Sequence, residues 1–152
     1  MKAEPGSRHS GTVPTRMRAM LLDRTVELAN EPPPLRLATC PTPTPGPDEI
    51  LIQVLTCGVC HTELDEIEGR TPPARFPAIL GHQIVGRIVA RGESVSHPEL
   101  GARVGVAWIH ASCGHCRYCR EGLENLCPEF RATGRDAPGG YAEYMTIAAE
   151  FA

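Results

Sequence analysis

No stretch of this 152-residue sequence approaches the ~20 consecutive apolar residues that span a bilayer, and its opening MKAEPGSRHSGTVPTR lacks the apolar core of a secretory signal. No membrane partner is expected, and a cytoplasmic location is the default expectation. Excess positive charge is also missing. The 15 Lys and Arg against 18 Asp and Glu give a formal charge of -3, which offers no field for nucleic acid. No G-x-G-x-x-G stands between a strand and a helix, and Gly69, Gly81 and Gly86 do not form one, so the dinucleotide-binding fingerprint is absent. At 152 residues and 16.4 kDa the chain suffices for one domain with its own core, and is too short for a nucleotide-binding domain of ordinary size beside it.

Turn chemistry, by contrast, is abundant: 15 Gly and 15 Pro point to short strands and many turns and argue against a helical bundle. Residues 1–17 are polar and aperiodic and read as a flexible extension, leaving 18–152 as the domain. Residues 20–22 and 35–39 read as short strands on either side of Pro32, Pro33 and Pro34, and Pro41, Pro43, Pro45 and Pro47 predict an extended connection. The run 49–56, EILIQVLT, bounded by Pro47 and Gly58, predicts a central strand. The next, 61–68, HTELDEIE, predicts a short amphipathic helix with Leu64 and Ile67 inward and most of its acids in water. A loop over 69–77 leads to a strand over 84–90, where Gly86 permits a bulge or close approach. Val104, Val106 and Trp108 alternate at strand period, and 140–147 is again strand-like. Short strands around loops, without an internal repeat, predict a mainly β small barrel or sandwich.

The seven cysteines are Cys40, Cys57, Cys60, Cys113, Cys116, Cys119 and Cys127, an odd and uneven set that suits metal ligation in a reducing compartment. The segment C113-G-H-C116-R-Y-C119-R-E-G-L-E-N-L-C127 puts four thiols within 15 residues, the pattern of a structural zinc with no open coordination position. Iron remains an alternative, although the last interval is long for a ferredoxin cluster, and so do metal-free or disulfide-linked thiols. His115, inside this loop, reads as a surface histidine or one beside the ion. In T56-C57-G58-V59-C60-H61-T62-E63 the C-x-x-C spacing fits a redox pair, half a metal site or two core thiols, and spacing alone does not decide. In G81-H82-Q83 the histidine either faces a cleft at a strand end or is a satisfied structural residue.

At these segments the sequence resembles the zinc-dependent alcohol dehydrogenases of the medium-chain dehydrogenase/reductase family. C60-H61-T62-E63-L64, G81-H82-Q83, the four loop cysteines and G139-G140-Y141-A142-E143-Y144 stand in that family's order, over about residues 18–147. The resemblance implies a GroES-like, partly closed barrel with short helices and a zinc-binding loop, with the Rossmann domain absent from this chain. It implies that Cys60 and His82 are ligands of a catalytic zinc and that Cys113, Cys116, Cys119 and Cys127 hold a structural zinc. Thr62 matches the hydroxyl that contacts the substrate oxygen and begins proton relay, and His61 a position near the cofactor pyrophosphate. Glu63 stands where relatives usually have Asp and would orient His82, with Cys57 a small buried neighbour. The implied chemistry is hydride transfer between an alcohol carbon and the nicotinamide of NAD or NADP, with zinc as Lewis acid. Its partners are an alcohol or aldehyde, the cofactor, and further copies in a homo-oligomer.

The match has gaps. The family places a third catalytic cysteine beyond the segment ending at Ile147, and no cysteine follows Cys127 here. Cys57 could substitute only by local rearrangement. Gln83 replaces a common Glu, and Asp65 stands where some relatives have a relay histidine and reads as a solvated acid. The expectation is therefore the amino-terminal catalytic portion of a longer dehydrogenase, inactive alone. The alternative is a non-enzymatic zinc-binding interaction module whose loop 113–127 forms the partner surface.

Overall fold

The structure, a computed structural model, describes residues 12–30 and 34–152. Pro32 and Pro33, and residues 1–11 of the expected extension, lie outside the described residues. The chain runs through β1 (Arg16–Leu22), β2 (Leu35–Pro41), β3 (Glu49–Gly58), α1 (His61–Ile67), β4 (Gln83–Arg91), β5 (Arg103–Val106), β6 (Ile109–Ala111), α2 (Arg117–Arg120), β7 (Arg131–Ala132) and β8 (Tyr144–Ala148). Short 3-10 turns span Glu124–Leu126 and Ala149–Phe151. Among the described residues no helix is long and apolar enough to cross a membrane.

The architecture is mainly β, with three small antiparallel sheets among the described residues: β1-β2, β5-β4-β3-β8 and β6-β7. β1 begins at Arg16, ahead of the expected strand at 20–22, because Arg16 and Arg18 alternate with inward Met17 and Ala19, which are 5% and 2% exposed. Inward alternation on the four-stranded sheet builds the main core from Ile50, Ile52, Ile84, Ile88, Met145 and Ile147. Both expectations for Gly86 are met. The β3–β4 register passes from Val54↔Gly86 to Thr56↔Val85, leaving Leu55 as the extra residue of a bulge. A Cβ on Gly86 would stand 2.3 Å from Ile52 Cγ2 and 2.5 Å from the Gln53 carbonyl oxygen, so the strands could not approach this closely with any side chain there.

A second cluster, Leu22, Val26, Ile67, Ala78 and Leu80, clamps α1 between β1 and the segment before His82. This clamp reverses part of the expected amphipathicity. Ile67 is inward as expected, but Leu64 is 38% exposed, while Glu63 and Glu66 are 2% and 0% exposed. Residues 63, 66 and 67 share one face at helical spacing, and that face is fixed by Ile67 meeting the cluster. Trp108 also departs from expectation: β5 stops at Val106 and the chain bends, freeing the indole from the strand.

Candidate functional site

β3 delivers the chain to Cys60, which caps α1 in extended conformation (φ -121°, ψ 162°). The Cys60 amide donates to Glu63 Oε2 at 2.6 Å. The other oxygen of the same carboxylate, Oε1, lies 2.8 Å from His82 Nδ1, a buried contact whose skewed approach makes it electrostatic rather than an aligned hydrogen bond. One carboxylate thus ties the Cys60 backbone to the His82 ring, and holding Nδ1 on that side leaves Nε2 for another partner. Thr62 Oγ1 sits 3.6 Å from Cys60 Sγ. His61 is exposed, with Nε2 3.7 Å from Asp65, whose carboxylate is engaged by Arg70 Nε at 2.5 Å. Asp65 is therefore in a surface ion pair rather than simply solvated. Replacing Glu63 by Ala orphans the Cys60 amide and the His82 ring together. An expected loss of about 2–3 kcal/mol should be measurable by denaturant unfolding.

His82 is placed from the other side by backbone. Gly81 has φ +95°, and a Cβ there would lie 2.7 Å from Tyr141 Cδ1 and 2.8 Å from Cys57 Sγ. The segment 139–141 straps this turn through Gly139 N→Ile79 O (2.7 Å), Gly140 N→Gly81 O (2.9 Å) and Tyr141 N→Leu80 O (2.9 Å). Two segments distant in sequence therefore form one structural unit. Gly81→Ala should cost about 2–4 kcal/mol from φ strain plus overpacking, read as a lowered unfolding midpoint with unchanged denaturant slope. The Trp108 ring meets His82 edge-on at 4.9 Å. His82 opens with Trp108, Gly105, Ala107 and Phe151 onto a cleft of about 630 Å³.

Burial raises the pKa of two ionisable side chains nearby. Glu66 is wholly buried and neither oxygen has a hydrogen-bond partner among the described residues. Burial, reinforced by the charge of Glu63 and only partly opposed by Arg135, pushes its carboxyl up to about 8. Arg135 is bound to Asp136 at 2.8 Å and lies 5.5 Å over the Trp108 ring. Burial likewise raises the Cys57 thiol, with the Glu63 charge adding to it. Cys57 is wedged against Gly81 and Gly140 and donates weakly to the Gly58 carbonyl at 3.6 Å.

The loop carried by β6 and β7 converges its four thiols. Their sulfurs lie within 4.8 Å of one another, with Cys116–Cys119 at 3.6 Å and Cys113–Cys119 at 3.9 Å. A tetrahedron with metal–sulfur bonds of about 2.3 Å places its sulfurs about 3.8 Å apart, so the cluster has the dimensions zinc requires. All seven cysteines are free thiols. Backbone amides prepare the sulfurs for negative charge: Cys116 N donates to Cys113 Sγ at 3.3 Å, and Cys113 N and Glu129 N donate to Cys127 Sγ at 3.4 and 3.3 Å. The His115 and Cys116 amides bring Cys113 down to about 6. At Cys127 the Cys113 and Glu129 amides pull the thiol down, but burial and the neighbouring sulfurs outweigh them and it rises to about 11. A bound cation would ionise all four.

The structure therefore brings Cys113, Cys116, Cys119 and Cys127 together, and joins Cys60 to His82 through Glu63. Cys57, Cys60 and His82 do not form a comparable cluster of ligand atoms among the described residues. Sequence reasoning missed Glu66, whose acidic type argues for water, and Trp108, whose alternation with Val106 argues for a strand. The signal for Glu66 was its position three residues from Glu63 and one from Ile67.

Residues 46–152 match the family model described as the alcohol dehydrogenase GroES-like domain. A Mycobacterium tuberculosis (strain CDC 1551 / Oshkosh) protein named "Probable alcohol dehydrogenase AdhA" is 47% identical over 124 residues, which are 78% of this chain and 36% of that protein. The cobalt- and zinc-bound thermostable alcohol dehydrogenase of Pyrobaculum aerophilum matches with a TM-score of 0.80 at 31% identity, over 89% of this chain and 40% of that one. Acetophenone reductase of Geotrichum candidum NBRC 4597, solved in complex with NAD, matches with a TM-score of 0.76 at 33% identity, over 92% of this chain and 40% of that one. The chain spans about a third of the length of the curated relatives it matches.

Proposed function

The chain belongs to the zinc-type alcohol dehydrogenase family, as its GroES-like N-terminal domain, and on that premise we propose that it supplies the catalytic-domain residues of an NAD(P)-dependent alcohol or carbonyl oxidoreductase. The observation that carries the reading is the Glu63 carboxylate, which holds the Cys60 amide at 2.6 Å and the His82 ring at 2.8 Å. That linkage prepares a thiolate and an imidazole to serve one ion. Zinc held there supplies Lewis-acid polarisation of the substrate oxygen.

The remaining steps belong to the chain's own side chains. Glu63 Oε1, 2.8 Å from His82 Nδ1, turns that edge of the ring toward itself and leaves Nε2 as the ligating nitrogen. Thr62 Oγ1, beside Cys60 Sγ, accepts the substrate proton while donating its own toward solvent. Exposed His61 meets the cofactor pyrophosphate, and Trp108 lines the cleft beside His82. A third protein ligand is needed beside Cys60 and His82, and Cys57, wedged beneath Gly81 and Gly140, is not placed to be it. The activity proposed is that of a whole, homo-oligomeric dehydrogenase in which these residues form the catalytic domain's part of the site. The four-thiol loop holds a zinc that shapes the domain and takes no part in the reaction.

The test is alcohol oxidation by the full reading frame with NAD and with NADP. Thr62→Ala should lower kcat by roughly 10²-fold while zinc content stays at the wild-type level. Undiminished turnover in that variant, with chemistry shown to be rate-limiting, would remove Thr62 from the relay. Failure of the intact frame to oxidise any alcohol with either cofactor would overturn the function.

A further inference from the structure

The metal loop carries a second constellation. Ligand atoms of Cys113, His115 and Glu129 lie within 4.8 Å of one another, and Cys113 belongs to this group and to the four-thiol cluster alike. His115 and Glu129 are exposed, whereas Cys113 is half-buried. We propose that Cys113, His115 and Glu129 form an outer, weaker zinc position through which the ion enters and leaves the four-thiolate site. The inference rests on the reading of that inner site as a zinc site.

The donor set is the first support. One sulfur, one imidazole nitrogen and one carboxylate oxygen are all ligands zinc accepts, and three protein donors leave a coordination position open to water or an incoming ligand. The second support is orientation. His115 Nδ1 lies 2.7 Å from the Cys113 carbonyl oxygen. With Nδ1–H donating there, Nε2 keeps its lone pair, and a backbone carbonyl of this kind is what commonly fixes a metal-binding histidine. Glu129 is tied to the loop at its backbone, whose amide donates to Cys127 Sγ at 3.3 Å, two residues after the fourth thiol.

A closed four-sulfur site supplies the need for such a position. Every coordination place is taken, so an ion cannot leave until a thiolate yields, and a donor within reach lowers the cost of that first step. On exit the bond to Cys113 persists while bonds to Cys116, Cys119 and Cys127 break and bonds to His115 and Glu129 form. Each released thiolate takes a proton from water, and on entry each thiol gives its proton back. Zinc remains divalent throughout.

The test uses the chain loaded with one zinc and a chromophoric chelator in excess, at concentrations where the transfer rate no longer depends on chelator. A zinc titration is run in parallel. The double variant His115→Ala, Glu129→Gln should keep the tight equivalent and the wild-type unfolding temperature, yet release zinc roughly tenfold or more slowly. The conservative variant Glu129→Asp, which keeps a carboxylate, should release zinc at close to the wild-type rate. An unchanged release rate in the double variant would overturn the inference, and so would loss of the tight zinc. Absence of any zinc from the wild-type chain would instead fail the reading of the inner site.

Discussion

Replacing Cys127 by Ser will weaken the loop's hold on zinc and lower the stability of the domain. Cys127 is the most buried of the four thiols, at 5% exposure, and it accepts two of the amides that order the loop. Loss of one thiolate from a tetrahedral set should lower zinc affinity by roughly 10²–10³-fold, or about 3–4 kcal/mol of metal-linked stability. For a chain of this size that corresponds to roughly 10 °C in Tm. Calorimetry with and without a chelator checks it: the wild type should lose stability on chelation and the variant should lose less. Equal zinc content and equal Tm in the two proteins would show that the loop is held by something other than the ion.

Glu66→Gln will gain stability over wild type progressively as pH rises. The native carboxyl titrates at about 8, above its ordinary value of 4.5, because it is buried beside Glu63. The native state therefore binds the proton more tightly than the unfolded chain. That contribution is fully present below about pH 4.5 and is lost as pH rises to about 8, beyond which no further loss occurs. Glutamine has the same shape and does not titrate, so the variant should lack this decline. The difference between the two should grow by roughly 2–4 kcal/mol from pH 5 to pH 8.5. Any fixed cost of burying an amide shifts the variant's curve without changing its slope. Parallel curves for the two proteins in urea, over that range, would mean that Glu66 reaches water in solution.

What could be read from the sequence follows the distance over which each feature is encoded. The four-thiol loop was legible because its ligands lie within 15 residues and the chemistry of sulfur narrows their use. The central strands were legible because their cores are continuous apolar runs. Helix α1 was legible as an element but not in its orientation. Acids normally face water, yet Ile67 belongs to a cluster with Leu22 and Leu80, and that packing turns Glu63 and Glu66 inward. The resemblance to the family pointed to Glu63 as a partner of His82. No spacing announces that a glycine at φ +95° and a strap from residues 139–141 hold that histidine. Trp108 was misread because alternation continues past Val106 in the sequence while the backbone bends.

The central claim is that the loop closes around one zinc while Cys60 and His82 form an incomplete site within this chain. The direct measurement is the metal content of the chain purified without added metal, followed by the absorption spectrum after cobalt substitution. About one zinc per chain, and a cobalt spectrum of tetrahedral four-thiolate character, is the predicted result. Iron in place of zinc, no metal, or two tightly held ions per chain would contradict the account.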